Sequence, residues 1–250
     1  MDPVEAATSY LDALRSHDAD RVSLAPDARR INNGVLTVEG ADALRAISRR
    51  EPVAATSAFR WLVDGDQAIV FYDRDADLAR AQDKPPGPPE TWIPAYIGER
   101  FQVRESGIQE IEVVYTGGPG MPRPKRPQRY PAGRDAREEV LAVAKAYVAA
   151  LVSHDSSAVP IADEVWRIEN GRDTADGADA LRKSLESEIM HTIQGIDEVS
   201  WFAAGDSAAV FYTLHARAGE RDMFMRIAER FRVVDGRLVE IEAVFAPKGS

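Results

Sequence analysis

The feature that most restricts this chain is that it carries one sequence twice. Tyr10 to Arg45 aligns without a gap on Tyr147 to Arg182, with Ser-His-Asp on Ser-His-Asp and Gly-Ala-Asp-Ala-Leu-Arg on the same run. The correspondence continues downstream. Trp61 to Tyr72 (WLVDGDQAIVFY) answers Trp201 to Tyr212 (WFAAGDSAAVFY), Ile97 to Val103 (IGERFQV) answers Ile227 to Val233 (IAERFRV), and Glu110-Ile111-Glu112 answers Glu240-Ile241-Glu242. A period of about half the chain is too long for a solenoid and predicts a duplicated domain. Each copy is long enough to enclose its own core. The expected division is a first domain over 1–116, a linker over 117–134 and a second domain over 135–250. The linker, GGPGMPRPKRPQRYPAGR, is proline-rich and so extended and semi-rigid. It is basic in a chain of net charge −10, which predicts a tether lying on an acidic face.

Each copy is expected to open with an amphipathic helix that ends near His17-Asp18 or His154-Asp155. Asp2, Pro3 and Glu5 read as N-cap, first helical residue and capping box; Asp135 and Glu138 read as the matching box. An irregular stretch with Pro26 or Pro160 comes next. A strand follows, Arg29 to Asn33 or Trp166 to Asn170, closed by an Asn-Gly turn at Asn33-Gly34 or Asn170-Gly171. A second helix begins after Gly40 or Gly177 and carries Leu44 and Ile47, or Leu181, Leu185 and Ile189. The rest of each copy reads as antiparallel sheet, with hairpin signals such as Asp64-Gly65-Asp66. The first copy inserts Asp83 to Trp92 (DKPPGPPETW) where the second has the shorter Ala216 to Asp222.

Charge and composition exclude several classes. With net charge −10 and pI ≈ 5.0 the chain repels nucleic acid and anionic membranes. It has no cysteine, hence no thiol nucleophile. MDPVEAATSY lacks the basic and apolar regions of a signal peptide, and no apolar run approaches membrane-spanning length. The expectation is a soluble cytoplasmic protein without nucleic-acid or membrane partners. Asp73, Asp75 and Asp77 alternate as in a calcium loop, but Leu78 replaces the turn glycine. The chain shows no zinc, nucleophile-elbow or dinucleotide pattern, so no metal and no cofactor is expected.

The recurring order resembles the nuclear transport factor 2-like superfamily, in its SnoaL-like polyketide cyclase branch. The residues that carry the resemblance are the GADALR pair, VDGDQAIVFY and AAGDSAAVFY, and the closing FRVVDGRLVEIEAVF. The resemblance implies an α+β fold of two tandem cystatin-like cones, each a curved sheet wrapped around helices. It implies an intrachain pseudo-dimer, in a monomer or a homodimer. Two functions follow from it. One is a non-catalytic ligand-binding or assembly module for a small apolar molecule. The other is a cofactor-independent isomerase, dehydratase, cyclase or hydrolase acting on a small polyketide-, steroid- or terpenoid-like molecule. The chain departs from the cyclase pattern after the last strand, where Ala246, and Thr116 or Gly117, stand in place of an Asp. The isomerase-type Asp falls near Asn32 and Glu169, so that only the second copy offers a carboxylate there.

Strand alternation sorts the remaining candidates. Ile97, Glu99, Phe101 and Val103 share one face, as do Ile227, Glu229, Phe231 and Val233. A carboxylate on that apolar face is a proton carrier with a raised pKa, a salt-bridge partner of Arg30 or Arg167, or a group near an open strand end. Arg100, Gln102, Glu110 and Glu112 alternate onto the other face, with Arg230, Arg232, Glu240 and Glu242, as a cross-strand charge lattice. In the second copy the candidate site is Glu229 as proton carrier, with Glu169 or His215 as second acid–base group. Arg167 and Asn170 are its polar anchors, Trp166 a wall, and Tyr147, Tyr212 and Phe231 its ligand-binding companions. The first-copy equivalents are Glu99, Arg30, Asn33, Tyr10, Tyr72 and Phe101. A competing assignment gives Asn33 and Asn170 to their turns, the tyrosines to the core, and His17 and His154 to helix C-termini.

Overall fold

The computed structural model describes residues 1–82, 84–124, 126 and 130–250. Asp83 of the inserted loop and Lys125, Pro127, Gln128 and Arg129 of the expected linker lie outside the described residues. The chain divides into two units, Met1–Pro122 with Gly249–Ser250, and Arg123–Lys248.

Unit one starts with α1 (Pro3–Ser16). The Asp2 carboxylate accepts from the backbone N–H of Val4 at 2.8 Å and of Glu5 at 3.0 Å, and Pro3 has no N–H to satisfy. The helix ends on His17 in the left-handed region, φ 60°. Next come β1 (Leu24–Asn32), β2 (Val35–Glu39), α2 (Ala41–Ser48), β3 (Val53–Asp64), β4 (Gln67–Ala76), α3 (Leu78–Ala81), β5 (Ile93–Arg104) and β6 (Gly107–Gly117). Unit two repeats the order with α4 (Arg137–Ser153), β7 (Ile161–Glu169), β8 (Arg172–Asp176), α5 (Ala178–Leu185), β9 (Ile193–Ala204), β10 (Ser207–Ala218), β11 (Arg221–Val234) and β12 (Arg237–Pro247).

Among the described residues each unit has a six-stranded sheet, ordered β2-β1-β6-β5-β4-β3 and β8-β7-β12-β11-β10-β9. Each is α+β, one mixed sheet packed on its helices. In unit one Ala7, Tyr10, Leu11 and Leu14 of α1 pack with Val70, Tyr72, Ile97, Phe101 and Ile111 of the sheet. In unit two Tyr147, Val148 and Leu151 of α4 meet Val210, Tyr212, Ile227, Phe231 and Ile241. Ala58 and Glu198 have positive φ (56° and 51°) in the middle of β3 and β9. The pairing register shifts beside each, so both long edge strands carry a bulge that bends them. Among the described residues no helix is long and apolar enough to cross a membrane.

The structure differs from the sequence expectation at several points. The sheets are mixed, because β1 runs parallel to β6 and β7 parallel to β12. Hairpin signals report local pairing and carry nothing about this return. β1 begins at Leu24 and takes in Pro26, at a register break against β6 where no ladder donor is needed. β2 and β8 occupy the segment before the second helix, and Ile189 lies beyond α5, 72% exposed. The Asp135–Glu138 box does not form. Ala136 is the N-cap of α4 without a side-chain cap, and Asp135 accepts from Asp235 N at 3.1 Å and Gly236 N at 2.7 Å. Both amides belong to a turn with positive φ (51° and 67°), a concave pair of donors that suits a carboxylate. Described residues of the expected linker lie on unit two, in line with the basic tether expected there. Arg126 pairs with Glu242 at 3.0 Å, Gly133 N donates to Asp206 at 2.9 Å, and Arg232 donates to the Tyr130 carbonyl at 3.2 Å.

The Asn-Gly turns close both first hairpins with positive φ at Asn33 (45°), Gly34 (78°), Asn170 (48°) and Gly171 (76°). The two asparagines do more than turn the chain. Asn170 Oδ1 accepts from Phe245 N at 2.9 Å and its Nδ2 donates to Phe245 O at 3.0 Å; Asn33 Oδ1 accepts from Tyr115 N at 3.0 Å. The assignment of Asn33 and Asn170 as ligand anchors is therefore corrected: their amides fasten β1 and β7 to the closing strands. Asn170→Ala leaves two backbone groups of Phe245 without partners and a methyl side chain in a left-handed conformation. The expected cost is on the order of 2 kcal/mol, read from urea unfolding midpoints. Asn170→Gly, which relieves the backbone but not the lost bonds, is expected to cost less.

Candidate functional site

Register brings two carboxyls together in unit two. Glu229 on β11 pairs with Ala243 on β12, and Ala243 pairs with Glu169 on β7. The three side chains stand in a row on the core-facing side, and the small Ala243 leaves space between the two acids. Tyr147 and Leu151 of α4 lie over that space, and Leu214, Met225, Ile227 and Phe245 wall it. Met190, in a short 3₁₀ turn (Met190–Thr192), and Ile193 close one side. The result is an apolar cavity of about 160 Å³ with Glu169, Glu229, Tyr147 and Tyr212 as its polar groups.

Glu229 is 2% exposed. The Tyr212 hydroxyl donates to its Oε2 at 3.0 Å. Its Oε1 has no hydrogen-bond partner among the described residues, and Glu229 is part of the cavity lining. Burial, and then the charge of Glu169, push its pKa up to about 8; Tyr212 and Arg167 pull it only partway back. Tyr212 is raised well above the ordinary phenol value by burial and by Glu229, so it stays a donor.

Arg167, 2% exposed, is held by four neighbours. It pairs with Glu169 at 3.3 Å and donates to Tyr147 Oη at 3.2 Å, Thr174 Oγ1 at 2.9 Å and Ser184 Oγ at 2.6 Å. The salt-bridge assignment for Glu229 is thereby corrected: the ion-pair partner of Arg167 is Glu169, two residues along the same strand face.

Two other assignments are corrected by strand alternation. Tyr212, Leu214 and Ala216 of β10 belong to the core, so His215 points to the opposite face. There it stacks on Phe224 at 4.6 Å and lies 3.5 Å from Asp222, away from Glu229. Trp166 precedes Arg167 on β7 and therefore also faces away; its ring N–H donates to Asp173 at 3.0 Å. Phe231 packs against Tyr147 with ring centroids 5.3 Å apart, as part of the core rather than a cavity wall. Leu214, Met190, Met225 and Ala243 were missed. The signal for two of them was the contrast between copies, Arg74 against Leu214 and Val113 against Ala243.

Unit one arranges the same residues differently. Tyr72 Oη donates to Glu99 Oε2 at 2.9 Å, and Phe101 packs on Tyr10 at 5.6 Å. Burial pushes Tyr10 up to about 12. Burial also pushes Glu99 up to about 7, against the pull of Arg30 and the Tyr72 hydrogen bond. Its Oε1 is buried without a partner among the described residues. Arg30 and Arg74 converge on Glu51, at 3.0 and 3.2 Å. Burial would raise Glu51, but the two guanidiniums outweigh it and hold the carboxyl below its usual range. The expected outer charge lattice is present on both sheets: Arg100 pairs with Glu112 at 3.0 Å and Arg230 with Glu240 at 2.8 Å. Among the described residues no three His, Cys, Asp or Glu side chains are grouped as metal ligands.

A family model described as "Domain of unknown function (DUF8021)" matches residues 2–115 and again 133–245. No curated protein matches the chain. Solved structures similar to parts of it include a protein from Kribbella flavida, 25% identical, covering 42% of this chain and 85% of that one, with a TM-score of 0.37. An M. tuberculosis LEH-like epoxide hydrolase is 17% identical, covering 44% and 84%, with a TM-score of 0.39. An NTF2-like protein from Burkholderia xenovorans is 17% identical, covering 44% and 92%, with a TM-score of 0.37.

The raised pKa of Glu229 sets a sign for stability. Its carboxyl titrates near 4.5 in the unfolded chain and near 8 in the fold. Between those values the folded protein holds a proton that the unfolded chain has released, so stability falls as pH rises through that window. Glu229→Gln removes this dependence. Thermal unfolding across pH is expected to show wild type and variant nearly equal at the acidic end. The variant should be more stable by roughly 5 kcal/mol at the alkaline end. A variant that is less stable at alkaline pH would mean that the carboxylate is bound by a cation.

Proposed function

The chain belongs to the family of the domain of unknown function DUF8021, and we propose that its second unit is the functional one, a pocket that binds a small, largely apolar molecule. The observation that carries this reading is the cavity between α4 and the sheet, lined by a buried carboxyl with one oxygen unpartnered among the described residues. A void of about 160 Å³ suits a molecule on the scale of a benzene ring or the end of a longer one. Glu229 and Glu169 give such a molecule an orientation. We also infer that the chain is a tandem duplication of a SnoaL-like unit, with domains over 1–116 and 135–250 and a linker over 117–134. On this reading unit one is a scaffold, since Arg74 and Val113 stand where unit two has Leu214 and Ala243.

A second reading is favoured by the contrast between the two acids. Glu229 holds its proton near neutrality, while Glu169 is paired with Arg167. A carboxyl that holds its proton beside a second one paired with a guanidinium is the equipment of cofactor-independent acid–base catalysis, with Glu229 as the acid and proton carrier.

Methionine methyl resonances test binding directly. Of the five methionines, Met190 and Met225 line the cavity. Titration with small apolar compounds is expected to shift these two methyls and leave Met1, Met121 and Met223 unmoved. Ala243→Phe, which fills the space beside Glu229, should abolish the shifts. Cavity methyls that stay unmoved at millimolar compound would overturn the pocket. The same samples, followed for conversion of the bound compound, separate the readings: conversion that Glu229→Gln abolishes supports the catalyst, and binding without conversion the module.

A further inference from the structure

The two units differ by one cation around the buried acids on the inner face. In unit one the acids Glu51 and Glu99 lie among two arginines, Arg30 and Arg74. In unit two Glu169 and Glu229 share a single one, Arg167, among the described residues.

The register shows where the second cation would stand. Tyr72 and Tyr212 are equivalent: each bonds the buried glutamate and pairs with an isoleucine, Ile97 or Ile227. Arg74 and Leu214 each lie two residues further on, facing Ala95 and Met225. The Arg74 guanidinium lies 5.8 Å from the Tyr115 ring centroid. Phe245 takes the place of Tyr115 in unit two, as its pairing with Ile227 matches that of Tyr115 with Ile97, and Phe245 lines the cavity. Unit one therefore fills with its own guanidinium the kind of place that unit two leaves open.

We propose that the cavity of unit two takes a small organic cation, a lipophilic amine whose ammonium group sits against Glu229 and whose apolar body packs on Leu214, Met190, Met225 and Phe245. This rests on the reading of that cavity as a binding site. The walls suit such a ligand. The free Oε1 of Glu229 accepts an N–H, aromatic faces attract a cation, and the methionine thioethers are polarizable. An anion would meet two carboxyls and no unpaired cation among the described residues. The net charge of −10 draws cations toward the protein. The proton balance closes. An amine arriving as free base takes the Glu229 proton. One arriving as an ammonium ion displaces that proton to solvent. Either route ends in an ammonium–carboxylate pair.

The test uses three probes of one shape, benzylamine, benzyl alcohol and benzoate, titrated near neutral pH against the full chain with labelled methionine methyls. Benzylamine is expected to bind about tenfold or more tightly than benzyl alcohol, the size of one charge-assisted hydrogen bond, with benzoate weakest. Glu229→Gln should bring benzylamine to roughly the affinity of the alcohol, with Met190 and Met225 still reporting an intact cavity. If the alcohol or benzoate binds as tightly as the amine, the cation is wrong while the pocket stands. If Glu229→Gln keeps the preference, the assignment to Glu229 is wrong. If none of the three moves the Met190 and Met225 methyls, the pocket itself fails and the inference with it.

Discussion

Each unit encloses a carboxyl that its core cannot neutralise with a direct ion pair. Glu99 and Glu229 are 1% and 2% exposed, and each takes one hydrogen bond from a buried tyrosine. A charge in that position is costly unless it is compensated or protonated. Much of the surrounding arrangement answers that cost. The tyrosines Tyr72 and Tyr212 stand diagonally across from the acids on the neighbouring strand. The arginines Arg30 and Arg167 reach in from the first strand, close enough to be felt but bonded to other acids. The buried acid is left to respond by holding its proton, and it does so more strongly in unit two.

The units part company in what occupies the space beside that acid. In unit one Arg74, Glu51 and Arg30 form a bridge through the interior, and Val113 stands between Glu99 and Asn32. In unit two Leu214 and Ala243 are shorter, the second carboxyl moves to Glu169 at the end of β7, and a void remains. The same backbone thus supports a filled interior and an open one, decided by a few side chains on the inner face. This is how one fold comes to host different sites.

The sequence made the fold legible because its signals are local and occur twice. The Asn-Gly turns, the alternation of Ile97-Glu99-Phe101-Val103 and the capped first helix each report short-range geometry, and the structure follows them. The misses were non-local. The parallel pairing of β1 with β6 joins residues far apart in sequence, and Asp135 was drawn to a turn a hundred positions away. In the site, alternation identified Glu99 and Glu229, and the same rule, applied to neighbours, turns His215 and Trp166 outward. Both were assigned by residue type rather than by face. Arg167 looked like the partner of Glu229 because an arginine stands at that position in both copies. Only geometry shows that Glu169, on its own strand, competes successfully.

The void in unit two is itself informative. An unfilled cavity costs on the order of 24 cal/mol per Å³, so about 160 Å³ corresponds to roughly 4 kcal/mol of forgone packing. The chain shows how the cost could have been avoided, since unit one holds Arg74 and Val113 at the matching positions. Filling the space is therefore compatible with the fold. Unit two instead keeps Leu214 and Ala243, which leave a void beside a carboxyl that burial, and then the charge of Glu169, hold protonated. Stability alone favours the filled arrangement of unit one. An arrangement that forgoes packing and charge compensation at the same point in the core is what a binding site requires, because the ligand supplies both when it enters.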